Sequence, residues 1–216
     1  MNEYEGIISV LLVEDDPFWI QQLSHSINRQ EDMRVLATAT TKEEAVRKAL
    51  VYTPDILLLD INLTENNLDG IEVAKEAERF TRTKTIMLSS IMDEEVIEDA
   101  FYYGAVNYLA KSSSHQIIEA IRDAHCNKSS IHSDVAAILR KGFKRERREV
   151  KLNVLTPTER VLYEMEEKGV TKGEMAKILH KSIETVKCQF KSIRRKMIGG
   201  KGKKYNPPTR YKDQVQ

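Results

Sequence analysis

Glu14, Asp15, Asp60, Ser89 and Lys111 are the residues whose types and settings could do chemistry. Each stands at the end of a short apolar run: IISVLLV over 7–13, ILLL over 56–59, TIML over 85–88 and AVNYLA over 105–110. Apolar runs of this length without alternation are what strands look like when a parallel sheet buries them on both faces. In an open parallel sheet, ligands bind at the carboxyl ends of the strands. Residues up to 97 positions apart therefore converge on one edge. Three carboxylates gathered there would repel one another unless a cation lay between them, which points to a metal site. Singly, each residue has a plainer reading: a solvated acidic loop or helix cap, a turn serine, a surface lysine. Their joint placement favours the site. Asp16 leaves the register open, since the acidic pair could be Asp15 with Asp16.

The elements that must position these groups alternate. Amphipathic stretches at about 17–29, 41–52, 70–80, 93–103 and 114–126 separate the apolar runs, and a further strand is expected near Arg34–Ala39. Thr41-Lys42-Glu43-Glu44 has the capping-box pattern that opens a helix. Five such units predict a doubly wound α/β domain with a five-stranded parallel sheet. After Cys126 the pattern breaks. Asp134–Arg140 could form a short helix, and the charged run from Lys141 to Lys151 reads as a solvated linker with some prospect of touching nucleic acid. A small all-α unit follows. Thr156-Pro157-Thr158-Glu159 is a helix start with cap, proline and reaching glutamate, and Gly169 ends that helix. A second helix spans about Lys172–Leu179, and a third runs from Ser182 to about Ile198. The Gly-, Pro- and Lys-rich tail over 199–216 reads as loosely ordered.

Charge divides the chain at the same place. Residues 1–137 carry 12 Lys/Arg against 24 Asp/Glu, a balance of −12, whereas residues 138–216 carry 22 against 9, a balance of +13. The basic part suits a polyanion; the plainer alternative is two oppositely charged surfaces that attract each other. No apolar stretch approaches the roughly 18 residues of a membrane span, and the first six residues are not signal-like. Two cysteines, Cys126 and Cys188, give no disulfide framework, so a cytoplasmic protein is expected and the sequons at Asn62 and Asn127 read as chance matches.

The motifs VLLVED, PDILLLDINL, LDG, IMLSS and GAVNYLAK, in this order, resemble the flavodoxin-like receiver domain of two-component response regulators over residues 7–126. The resemblance implies that Asp60 accepts a phosphoryl group from a sensor histidine kinase. It also implies that Glu14, Asp15, Asp60 and the backbone carbonyl of Asn62 hold Mg²⁺, while Ser89 and Lys111 contact the phosphoryl oxygens. Tyr108 would swing inward behind Ser89 on phosphorylation. The match favours Glu14 and Asp15 over the alternative register. The loop from Asp60 to Gly70 is two residues longer than in most receivers, Thr64 stands where proline is usual, and Ser112 follows the lysine in place of proline.

Residues 152–198 resemble the LuxR-type (NarL/FixJ-like) helix-turn-helix, and residues 127–151 would be the linker. In the third helix Val186, Phe190, Ile193 and Met197 fall within about 60° of one another and predict the buried face. Lys187, Cys188, Lys191 and Arg195 lie opposite, where a helix can read the major groove, with Ser182 and Thr185 at its start available to phosphate. A surface helix with a solvated charged face is the plain alternative. His180 and Lys181 depart from the family's usual turn, and the sequence after Met197 lacks the fourth helix by which relatives dimerise.

The expected function is therefore that of a response regulator and transcription factor, not a metabolic enzyme, binding double-stranded DNA and forming a homodimer when phosphorylated. Its only catalysis would be its own phosphorylation and dephosphorylation. Two rivals stay open. An aspartyl-nucleophile phosphatase would normally need a second Asp two residues after the nucleophile, where Asn62 stands. A phosphorylation-independent transcription factor with a purely structural acidic site is the other.

Overall fold

The structure, a computed structural model, describes residues 6–63, 68–80, 82–128 and 131–199. It divides into two compact units, 1–142 and 143–216. The first contains β1 (Ile8–Val13), α1 (Pro17–Asn28), β2 (Met33–Ala39), α2 (Lys42–Tyr52), β3 (Ile56–Asp60), α3 (Asp69–Phe80), β4 (Lys84–Ser89), α4 (Glu94–Tyr102), β5 (Ala105–Ala110), a 3-10 turn (Lys111–Gln116) and α5 (Ile117–His125). All strand pairs are parallel, in the order β2-β1-β3-β4-β5. The order reverses between β1 and β3, so their carboxyl ends form the crevice where such sheets bind ligands.

The two-residue period of a strand explains why the central runs are apolar throughout. Leu11, Val13, Leu57, Leu59 and Met87 face one side, where Ala45 and Ala49 of α2, Val73, Ala74 and Ala77 of α3, and Ile97 and Ala100 of α4 cover them. Val10, Leu12, Ile56, Leu58, Ile86 and Leu88 face the other, against Leu23 and Ile27 of α1 and Ile117, Ala120, Ile121 and Ala124 of α5. Each fully buried Leu contributes roughly 1.5–3 kcal/mol relative to exposure. The five expected strands and the helices between them are all present.

The segment expected to be a short helix and a solvated linker is instead one helix, α6 (Ser133–Leu152). Arg, Lys and Glu are strong helix formers, so its charged half carries no local veto. Each end is also anchored by burial. Val135 is buried in the first unit's core with Ile138 and Leu139 packed against it, and Leu152 lies in the core of the second unit. Gly142 packs close to Glu98: an added Cβ would fall 2.3 Å from Glu98 Oε1, so that side chain would have to move aside. Lys141 pairs with Glu94 at 2.7 Å.

The second unit continues with α7 (Pro157–Glu167), α8 (Lys172–Ile178) and α9 (Ile183–Gly199). Leu152, Leu155, Leu162, Met175, Ala176, Val186, Phe190 and Ile193 form its core. Both Thr156/Glu159 and Thr171/Glu174 make complete capping boxes. His180 takes the positive φ (+51°) that the turn before α9 requires. The loop at Thr64 and the tail from residue 200, with the question of a fourth helix, lie outside the described residues. Among the described residues no helix is long and apolar enough to cross a membrane, and Cys126 and Cys188 are free and exposed.

Candidate functional site

Glu14 follows β1, Asp60 ends β3, Ser89 ends β4 and Lys111 follows β5, so the sheet brings together the residues that sequence placed at strand ends. Glu14 (1% exposed), Asp60 and Ser89 are buried, whereas Asp15 is exposed at the rim. Ligand oxygens of Glu14, Asp15 and Asp60 lie within 4.8 Å of one another. Lys111 Nζ donates to Glu14 Oε1 at 2.9 Å and to Asp60 Oδ2 at 3.0 Å.

This is a costly arrangement without a further cation. Burial pushes the Glu14 carboxyl up to about 7, against the lowering pull of its Lys111 bond. Burial likewise raises Asp60 above its ordinary range, again opposed by Lys111. Burial works against the charge of Lys111 too, but its bonds to Glu14 and Asp60 outweigh it and hold the ammonium above its usual value. One lysine thus serves two buried acids. Asn62 Oδ1 is buried beside them with no hydrogen-bond partner. An all-oxygen donor set with one exposed member suits a hard divalent ion such as Mg²⁺. Asp16, the alternative acid, is committed elsewhere: its side chain caps α1 by accepting from Phe18 N at 2.8 Å.

Ser89 Oγ accepts from Ile91 N at 3.0 Å. Tyr108 is fully buried, and its hydroxyl donates to the Ile91 carbonyl. Burial pushes the phenol up to about 12.

Two residues around the site carry roles that their sequence positions did not disclose. A Cβ at Gly70 would stand 2.2 Å from the Asp60 carbonyl oxygen, while Gly70 N donates to Ile61 O at 2.9 Å. The LDG motif contains that glycine, but only the fold shows what it touches. Trp19 places its indole against Lys111.

In the second unit, α9 buries Val186, Phe190 and Ile193, with Met197 half-buried against them, which is the expected inner face. Ser182, Thr185, Lys187, Cys188, Lys191 and Arg195 are all exposed. Ser182 Oγ accepts from Thr185 N at 3.0 Å and so caps α9. Lys187 is paired with Glu184 at 3.2 Å. Ile183, at the first position of α9, is exposed as well.

A parallel five-stranded sheet with this acidic crevice defines a receiver. The response regulator receiver domain family matches residues 10–122. The LiaR transcriptional regulatory protein of Bacillus subtilis is 30% identical over 194 residues, covering 88% of this chain and 91% of that protein. The VraR response regulator of Staphylococcus saprophyticus is 28% identical, covering 88% and 90%. A solved structure of RcsB from Salmonella enterica serovar Typhimurium, bound to a promoter in the presence of phosphomimetic BeF₃⁻, shares the fold with a TM-score of 0.57 at 20% identity, covering 88% and 91%. The chain belongs to the response regulator family.

Proposed function

We propose that Asp60 is the phosphoacceptor of a two-component system and that its phosphorylation switches DNA binding by the helical unit. The observation that carries this reading is the Glu14–Asp60–Lys111 cluster, with two buried acids, one lysine and a third carboxylate within ligand distance. An Asp60 carboxylate oxygen would attack phosphorus as the bond from phosphorus to the donor's leaving group breaks, giving an acyl phosphate. Glu14, Asp15, Asp60 and the Asn62 carbonyl would hold Mg²⁺, which when bound screens the charges of the carboxylates and phosphoryl oxygens. Lys111 holds a compact positive charge beside Asp60 and can follow the phosphoryl oxygens. Ser89 would donate its hydroxyl proton to a phosphoryl oxygen, and any rotation that broke the bond it accepts from Ile91 N would loosen the segment whose Ile91 carbonyl holds Tyr108. A sensor histidine kinase is the expected donor.

The exposed stripe Lys187, Lys191 and Arg195, with Ser182 and Thr185 at the head of α9, would meet double-stranded DNA, and a homodimer of the phosphorylated chain would read two half-sites. RcsB bound to its promoter supports this reading for the shared fold. Genome-wide footprinting with and without acetyl phosphate tests it. Discrete sites that strengthen on phosphorylation in wild type, and not in Asp60→Asn, are expected; equal occupancy in both would favour a phosphorylation-independent factor.

A further inference from the structure

We infer that Trp19 is a positioning residue for phosphoryl transfer, holding the Lys111 ammonium over Asp60 through its indole face; this rests on the phosphoacceptor reading above. The Lys111 ammonium has three directions in which to donate, and the carboxylates of Glu14 and Asp60 occupy two. The same Nζ lies over the Trp19 ring, with the centroid at 5.4 Å. The Lys111 side chain is only 11% exposed, so the indole stands where water would otherwise solvate the ammonium. A cation within about 6 Å of an indole face is attracted by the ring's quadrupole, and more strongly when desolvated.

The ring is itself held. Trp19 is the third residue of α1, whose start is set by the Asp16 cap and Pro17 at the first position. Its inner edge packs on the core shared with Ile20, and Phe18 braces it in an edge-to-face pair at 6.0 Å and 80°. A lysine on a four-carbon stem has many rotamers that reach solvent. The indole closes off that side, so the charge remains aimed at Asp60 and at the oxygens of any group transferred to it. An aliphatic side chain of similar bulk would exclude water but offer no attraction. The face of the ring, and not its volume, is therefore the active feature.

The chain contains one tryptophan, so uniform incorporation of fluorinated tryptophans alters this ring alone. Fluorination drains the π-face while barely changing shape. The rate constant for phosphorylation of the full chain by acetyl phosphate with Mg²⁺ should fall stepwise from unlabelled to mono- to multiply fluorinated protein. Trp19→Leu should be slower by about fivefold to thirtyfold, the span of a partly to fully desolvated cation–π contact, while Trp19→Phe stays within about threefold of wild type. Rates insensitive to fluorination, or Trp19→Phe falling as far as Trp19→Leu, would overturn the positioning role and leave the phosphoacceptor reading standing. Wild type that takes up no phosphoryl group would overturn both.

Discussion

At the residue scale, the site is a balance of burial against charge. Glu14 and Asp60 lose hydration, one lysine compensates for both, and a divalent cation would complete the balance. Asp15 is exposed at the rim, where its role in the proposed site would be that of a metal ligand. Asp15→Asn should therefore weaken Mg²⁺ binding by at least about tenfold with little effect on folding, as ligand-shell losses do. Titration of Trp19 fluorescence with MgCl₂ would measure it, and an unchanged midpoint would remove Asp15 from the ligand set. Gly70 has a steric role: because a Cβ would meet the Asp60 backbone oxygen at 2.2 Å, Gly70→Ala should cost about 1–3 kcal/mol in urea unfolding and slow phosphorylation as well. Glu14, Asp60, Ser89 and Lys111 were legible in sequence because a polar group ending a doubly buried strand has one place to be. Trp19 and Gly70 were not. Their roles depend on which atoms the fold brings near, and neither hydrophobic period nor strand-end position encodes that.

At the scale of elements, the strands declared themselves through their apolar runs, and the helices through caps and period. α6 did not. Its charged half has no apolar stripe of its own, and the helix is held by Val135, Ile138 and Leu139 near one end and Leu152 at the other, contacts that a local window cannot see. Within the second unit, Glu159 ties the start of α7 to the last turn of α9. It completes the Thr156 capping box and pairs with Lys196 at 2.6 Å. Burial alone would raise its carboxyl, but the bonds from Lys196 and Thr156 outweigh that and bring it from 4.5 down to about 2. A depressed carboxyl contributes stability that is fully present above its unfolded value and lost as pH falls toward its folded one. Unfolding of the second unit should thus lose up to about 3 kcal/mol between roughly pH 4.5 and 2, and Glu159→Gln should flatten that acid limb in denaturant titrations followed by circular dichroism. A limb equally steep in the variant would place the acid sensitivity elsewhere. The outward face of α9 is the surface proposed to meet DNA. Lys187→Ala or Lys191→Ala should weaken specific DNA binding by about 1–3 kcal/mol where the lysine reads a base. Where it meets only phosphate, the loss should be even across sequences, with a shallower salt dependence. Binding unchanged in both variants would mean that this face points away from DNA.

At the scale of the whole molecule, an acidic stretch of balance −12 over residues 1–137 and a basic stretch of balance +13 over 138–216 belong to one response regulator chain. Coupling between them needs only that phosphorylation bias an equilibrium the chain already samples. Dimerisation through the receiver would add the half-site affinities. The phosphorylated chain should then sediment as a dimer and the unphosphorylated chain as a monomer at the same concentration, with Asp60→Asn monomeric in both conditions. Sequence disclosed both units and their order because each has its own period and charge. It did not disclose where one ends, since the helix α6 runs through the place where the pattern breaks. All of this depends on Asp60 taking up a phosphoryl group, and intact-mass spectrometry after incubation with acetyl phosphate and Mg²⁺ measures that directly. Wild type should gain about 80 Da, the mass of one phosphoryl group, and Asp60→Asn should gain nothing, as should wild type in EDTA. A gain that persists in Asp60→Asn, or that forms without the metal, would contradict the account.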